Sequence, residues 1–319
     1  PVRQDRETRS GQEAGQLDKE DLSRPQGNHA RHRAFVCGIF YRDDFEVEKD
    51  FISMNQNYYN AEVSPLDFEA PQAVETINNW VAGKTHDKIK TIIDYISPNN
   101  VMFLLNAIYF KGTWQKEFNT ESTEKIPFYL ENGESVQTET MQRLDTLPYT
   151  SNDLFSAIEL SYGKGNYNMY VFLPKTGKTL VDIIDRLDKE NWETWMQGFQ
   201  ETQSVDIKLP RFKYAYNIKL NDVLSEMGME IAFTGAANFT GINRNGGLNI
   251  NYVKHKTFIE VNEEGTEAAA VTVVAIDRTS AGGPQKVPFY VNRPFIYAIT
   301  EKDTGAILFI GTVKNPTLN

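Results

Sequence analysis

The chain has one cysteine, Cys37, so neither an intrachain disulfide framework nor a cysteine-rich metal site is open to it. Histidine is nearly as scarce. Only four occur, and none lies in a zinc motif such as His-Glu-x-x-His, nor is there a nucleophile motif such as Gly-x-Ser-x-Gly. An enzyme is therefore not expected, and no metal or cofactor is implied. His29 and His32 lie near Cys37 but lack a fourth ligand and a rigid frame, so they read as part of a solvated basic tail. Positive charge is also short: 33 basic against 43 acidic side chains give a net charge of -10. Without a basic stripe to offset it, a nucleic-acid partner lacks its electrostatic driving force. No apolar run approaches the roughly 18 residues of a membrane span, so a membrane partner is not expected, and no signal-peptide core stands near Pro1.

Apolar content is ample. At 319 residues, 40% apolar and 12% aromatic, the chain can bury a large core, as one mixed domain or two smaller ones. Residues 1–33 are the exception, with Val2, Leu17 and Leu22 as their only large aliphatic side chains. That segment buries too little apolar surface to offset its ordering entropy and is expected to be disordered or loosely attached. Residues 34–319 form the folded part. Phe35 to Tyr41 is strand-like, Glu48 to Tyr59 suggests a helix, and Ala61 to Phe68 alternates. A helix opened by Pro71 carries Val74, Ile77, Trp80 and Val81 at helical spacing and is expected to end near Lys90. Val101 to Phe110 is almost continuously apolar, the pattern of a central strand covered on both faces. Hairpin strands follow, then helices over Leu180 to Met196 and Ile218 to Met227, a strand Phe289 to Thr300 and a last strand Ala306 to Val313. Strands outnumber helices and many connections are hairpins, so the class is α+β. Asn238-Phe239-Thr240 is a glycosylation sequon, weak support for a secreted protein; a cytoplasmic one is the alternative.

The stretch from Glu260 to Pro294 behaves as two things at once. From Thr266, alternate residues are Thr266, Ala268, Ala270, Thr272, Val274 and Ile276, a small, uncharged face that could be buried inside a sheet. The other face begins with Glu267 and continues with Ala269, Val271 and Val273. Gly265 precedes the run and reads as a hinge with unrestricted φ. After Ile276 the chain turns polar and turn-prone through Arg278, Thr279, Ser280 and Pro284. The plain alternative is a buried strand followed by a surface loop.

Five segments in order resemble the serpins, suicide inhibitors of serine proteases: NNWVAGKTHDKI from Asn78, NAIYFKGTWQKEF from Asn106, LPRFKYAYNIKL from Leu209, EVNEEGTEAAAVT from Glu260, and NRPFIYAI with GAILFIGTVKNP. The likeness runs from about Phe35 to Pro316. It implies three β-sheets with surrounding helices and an exposed reactive-centre loop over about Gly265 to Val287. It also implies a serine protease as partner, caught as an acyl-enzyme while the cleaved loop enters the main sheet. The hinge is then Gly265, Thr266, Glu267, Ala268, Ala269 and Ala270. Trp114 resembles the tryptophan where insertion begins, Arg211 and Glu263 the ion pair restraining that opening, and Asn106 and His255 the polar pair near the sheet's centre. Read without the family, Trp114 is plain core, His255 a satisfied buried histidine and Arg211–Glu263 a surface pair. The family's spacing places the reactive bond at Thr279-Ser280, which suits an elastase-like protease. Arg278-Thr279 is the alternative and suits a trypsin-like one.

The chain departs from the family at its start. The resemblance implies helices A to D and an early strand ahead of the matching part, and residues 1–33 are too short and polar to supply them. Val101 to Phe110 is then left partly uncovered. A monomer is expected, with polymerisation as the alternative state. The competing function is a non-inhibitory serpin-like binding or carrier protein, or simply a protease substrate.

Overall fold

The computed structural model describes residues 32–266 and 285–318. In chain order the elements begin with β1 (His32–Arg42), α1 (Lys49–Tyr59), β2 (Glu62–Leu66), α2 (Ala73–Lys84) and β3 (Met102–Thr113). Next come β4 (Glu124–Tyr129), β5 (Ser135–Ser151), β6 (Phe155–Tyr162), β7 (Tyr167–Pro174), α3 (Leu180–Ile184) and α4 (Lys189–Gln197). The chain continues through β8 (Gln200–Pro210), β9 (Phe212–Lys219), α5 (Asn221–Leu224), β10 (Lys254–Asn262) and β11 (Gly265–Thr266). It closes with β12 (Val287–Tyr290), β13 (Phe295–Glu301) and β14 (Ile307–Val313).

Four expected elements differ, each for a local reason. α2 stops at Lys84 rather than Lys90, because His86 and Asp87 take left-handed φ values of 50° and 61°. The Thr85 hydroxyl donates to the Val81 carbonyl and accepts from the Ile89 amide, closing the turn. The helix expected over 180–196 is two helices. Asp188 is extended and accepts from the Asn191 amide as a fresh N-cap. β9 runs on through Lys219, so the helix expected from Ile218 begins only at Asn221. The strand expected over 289–300 breaks into β12 and β13 on either side of Pro294, which has no amide to give a ladder.

The described residues divide into two compact units, one drawn from within 1–109 and 215–258 and the other from within 110–214 and 259–319. In the first, β1 pairs in parallel with β2, and β3 pairs in parallel with β10, with Lys256 opposite Ala107 and Phe258 opposite Tyr109. The helical spacing of α2 buries Ile77 and Val81 against Phe103 and Leu105 of β3 and Phe258 of β10. Each such side chain contributes roughly 1.5–3 kcal/mol on full burial. At this end of β3, Phe103 and Leu105 are buried on that face. Leu104, pointing the other way, is 61% exposed.

In the second unit β5 serves two sets of partners. Its first part pairs with β4, its middle with β8, and Tyr149 to Ser151 with β6. A bulge between Asp145 and Leu147 bends it. The eight strands so joined run β12-β8-β5-β6-β7-β13-β14, with β4 also on β5. With the two arms of this bent sheet counted apart, the protein has three sheets and few helices, the expected α+β class. A core of Phe155, Phe172, Trp195 and Ile296 lies between β6, β7 and β13 and the helices α3 and α4.

Candidate functional site at the root of the loop

The second unit holds the hinge at its described end. Residues 262–265 form a tight hairpin turn, with Asn262 opposite Gly265 and Val261 opposite Thr266. The Asn262 side chain makes the turn possible, its Oδ1 accepting from the amides of Glu264 (3.1 Å) and Gly265 (3.3 Å). β11 pairs on its other side with β3, Gly265 opposite Thr113 and Thr266 opposite Gly112. Two residues of the hinge are thus already a strand with neighbours on both edges.

Gly265 is required there. Its φ is +146°, and a Cβ would run into the Gly112 carbonyl and lie 2.7 Å from the Thr113 Cα. Backbone atoms of the neighbouring strand cannot step aside. Thr266 is 1% exposed, and its hydroxyl lies 2.7 Å from the Tyr162 hydroxyl. Burial pushes the Tyr162 phenol far above its ordinary pKa, so it is a neutral hydrogen-bonding partner at any physiological pH.

Trp114 does more than fill the core. Its indole stacks on Tyr162 at 4.4 Å between ring centroids and 15° between planes. Its Nε1 donates to the Asn262 carbonyl at 2.9 Å, and its amide to the Glu264 carbonyl at 2.8 Å. The Phe118 amide donates to the Glu263 carbonyl, also at 2.8 Å. The segment after β3 therefore grips the turn at three points.

Arg211 and Glu263 are joined. Arg211 Nε lies 2.8 Å from both carboxylate oxygens and Nη2 lies 2.6 Å from Oε1. The Thr123 hydroxyl donates to the same carboxylate. Glu263 is 3% exposed where the Arg211 side chain is 42% exposed, so the pair is half buried and not the surface pair of the plain reading. Beside it opens a cleft of about 490 Å³ whose walls include Arg211, Phe212, Glu260, Glu263 and Pro316. Glu264 next in sequence has a raised carboxyl pKa, through burial first and then the charges of Glu117 and Glu263, with Lys111 opposing.

Asn106 and His255 lie in the first unit. The β3–β10 register puts them one step beyond the Lys256–Ala107 pair. Asn106 is exposed and donates to Cys37 Sγ at 3.9 Å; among the described residues no hydrogen bond joins it to His255. Asn238 is exposed in a turn where its Oδ1 accepts from the Thr240 amide and hydroxyl. Glu267, Ala268, Ala269 and Ala270, and Arg278, Thr279 and Ser280 at the candidate bonds, lie outside the described residues, as do residues 1–31. Sequence reasoning did not find Tyr162, Thr123 or Asn262. Tyr162 closes an alternating strand and carries no local sign of its partner 104 residues away.

Residues 8–316 match the family described as Serpin (serine protease inhibitor). The chain belongs to the serpin family. An uncharacterized serpin-like protein of Methanosarcina acetivorans is 33% identical over 283 residues, which is 87% of this chain and 66% of that protein. The serpin chain here thus spans about two thirds of that relative's length. Among solved structures, the thermophilic serpin tengpin in its native state aligns with a TM-score of 0.83 and 32% identity over 94% of this chain and 77% of its own. Human thyroxine-binding globulin, solved with thyroxine, aligns at 0.82 with 26% identity over 93% of this serpin and 78% of its own chain.

Proposed function

We propose that this serpin inhibits serine proteases as a suicide substrate. The protease's serine attacks the carbonyl at Thr279, or alternatively at Arg278. The peptide bond breaks, the amine of the C-terminal piece leaves with a proton, and an ester joins enzyme to loop. The loop then extends β11 between β3 and β10, and the tethered protease is deformed before water can cleave the ester.

One observation carries this reading: Gly265 and Thr266 are already paired with both β3 and β10. Continuing that register would bring residues 269–271 opposite residues 109–107, where β3 now pairs with β10. Insertion is then an exchange of partners, and the uncharged face from Thr266 onward suits it. If about a dozen new ladder bonds each contribute ~0.5–1.5 kcal/mol, the gain is on the order of 10 kcal/mol. That matches the roughly 5–15 kcal/mol stability of a whole domain. On this reading the protein acts outside the cell, and the Asn238 sequon is open to glycosylation.

A second reading, a serpin that binds without inhibiting, is favoured by the alignment with thyroxine-binding globulin. Mixing the protein with a trypsin-like and an elastase-like protease separates the two. An adduct surviving a denaturing gel supports inhibition, and the mass of the released peptide identifies the bond. Cleavage without adduct supports the second reading.

A further inference from the structure

In the second unit the turn between β5 and β6 meets the end of β7, and three hydroxyls gather there around one ammonium. β5 pairs with β6 so that Ser151 stands opposite Ser156 and Tyr149 opposite Ile158, which puts Tyr149, Ser151 and Ser156 on one face of the sheet. Lys175 follows directly on β7, and its amide donates to the Leu154 carbonyl at 2.8 Å, fixing it beside the turn. Its Nζ donates to Ser151 Oγ at 2.6 Å and to Ser156 Oγ at 2.8 Å. The Tyr149 hydroxyl donates to Ser156 Oγ at 3.2 Å, and the two serine oxygens lie 3.3 Å apart.

The protons of this cluster outnumber its serine lone pairs. Ser156 Oγ has both lone pairs taken, by the Lys175 ammonium and the Tyr149 phenol, so within the cluster its own proton goes to Ser151 Oγ. Ser151 Oγ is then filled as well, by Ser156 and by Lys175. The Ser151 proton and the third ammonium proton are left over, on atoms 2.6 Å apart, and Ser151 is exposed to solvent. Charge decides what suits two such donors. Arg293 stands against the residue before Lys175, its Nε and Nη2 donating to the Pro174 carbonyl at 3.1 and 2.5 Å and its Nη1 to Asn292 Oδ1 at 3.1 Å. Elsewhere in this unit Arg143 holds Asp145 and Arg211 holds Glu263. Among the described residues neither Lys175 nor Arg293 forms an ion pair, and Asp153, exposed in the turn itself, pairs with neither. Water would accept the two spare protons but would leave both cations without a counter-charge.

We infer that Ser151 and Lys175 bind a tetrahedral oxyanion, a phosphate or sulfate group, at the mouth of the β5–β6 turn. Two oxygens of one such anion take the two spare protons, one of them in a charge-assisted hydrogen bond from the ammonium. Ser156 and Tyr149 orient the donors without touching the anion, and Arg293 adds positive field from behind the Pro174 carbonyl. The anion is either free or carried as an ester on a larger molecule. This site is independent of protease trapping and of strand entry.

The test titrates the whole chain with inorganic phosphate at constant ionic strength, with chloride as the matched control, and follows the backbone amide shifts of residues 149–156 and 174–178. Saturable shifts confined to those residues and absent with chloride are expected. Lys175→Met keeps the apolar stem and removes the charge, and should weaken binding tenfold or more; Ser151→Ala should weaken it about three- to fivefold. Should Lys175→Met lose the fold, Ser151→Ala, which removes one exposed hydroxyl, carries the test alone. A second titration uses phenyl phosphate. Binding as tight as that of inorganic phosphate upholds the site and makes an ester on a larger molecule its ligand, whereas binding tenfold weaker upholds it for the free anion. Shifts that fail to saturate, that chloride reproduces, or that persist unchanged in Ser151→Ala and Lys175→Met overturn the site.

Discussion

The hydroxyls of Tyr162 and Thr266 meet at 2.7 Å in a fully buried position, and this contact anchors the first inward-facing residue of the loop. Removing one partner leaves the other without a hydrogen bond away from water. Tyr162→Phe should therefore cost about 1–3 kcal/mol in equilibrium unfolding, as should Thr266→Val. The double variant should lose less than the two single losses added together, because no orphan group remains. Additive losses would show that the two hydroxyls do not act as a pair.

Arg211→Ala leaves the buried Glu263 carboxylate with the Thr123 hydroxyl as its remaining hydrogen-bond partner among the described residues. A fully buried pair broken this way costs about 3–5 kcal/mol, and the exposed Arg211 lowers the expectation to about 1–3 kcal/mol. Thermal unfolding at low and high salt checks it. A loss within about 0.5 kcal/mol would mean that water replaces the guanidinium, as at an ordinary surface pair.

Much of this site could be read from the residues. Trp114, Arg211, Glu263, Gly265 and Thr266 stand within motifs whose order identified the family, and the structure brings all five to one turn in the second unit. What sequence missed was long-range. Tyr162 and Thr123 contribute single hydroxyls from strands and turns whose placement depends on how the sheets pack, and no periodicity encodes that. The misjudged elements failed for a different reason. Periodicity continues through 73–90 and 180–196, but stops are decided by single residues: His86 and Asp87 in left-handed conformations, and Asp188 turning its carboxylate to cap a new helix. The apolar run of β3 was legible as central, whereas the exposure of Leu104 depends on what lies over that face.

The turn should weaken as pH rises. Glu264 has its carboxyl pKa raised by burial and by Glu117 and Glu263, and Glu117 is itself raised by burial. A carboxyl with a raised pKa in the folded state favours folding while protonated and loses that contribution as pH climbs from its unfolded value through its folded one. Glu264→Gln mimics the protonated form. The variant and the original chain should be equally stable near the acid end of the folded range, with the variant the more stable above it. A stability difference that does not change with pH would assign Glu264 a solvated carboxylate.

Gly265→Ala tests whether the two-residue start of β11 is obligatory. The added methyl meets the Gly112 carbonyl and a φ of +146° that alanine avoids, so the turn must open. Amide exchange at Thr266, protected in the original chain by its place between β3 and β10, should accelerate by tenfold or more, about 1.4 kcal/mol of lost protection. Global unfolding should change little, since two residues at one strand end contribute a small part of the sheet. Unchanged protection would mean that the neighbouring strand yields instead.

Thr266→Arg bears most directly on function. Thr266 is the last described residue of the hinge, is 1% exposed, and faces Tyr162 with no carboxylate beside its hydroxyl among the described contacts. A guanidinium there has two outcomes: it stays buried without a partner, at a cost of several kcal/mol, or it drives β11 out of the gap between β3 and β10. Either outcome blocks the first step of strand entry while leaving the distant bond at Arg278, Thr279 or Ser280 free to be cut. The protease should then cleave the variant and leave it, with no adduct on a denaturing gel and with the enzyme's activity recovered in full. Glu267→Arg, on the opposite face of the same run, replaces one charge by another and should leave adduct formation within about twofold. Adduct formed equally by Thr266→Arg and by the original chain would sink insertion as the trapping step.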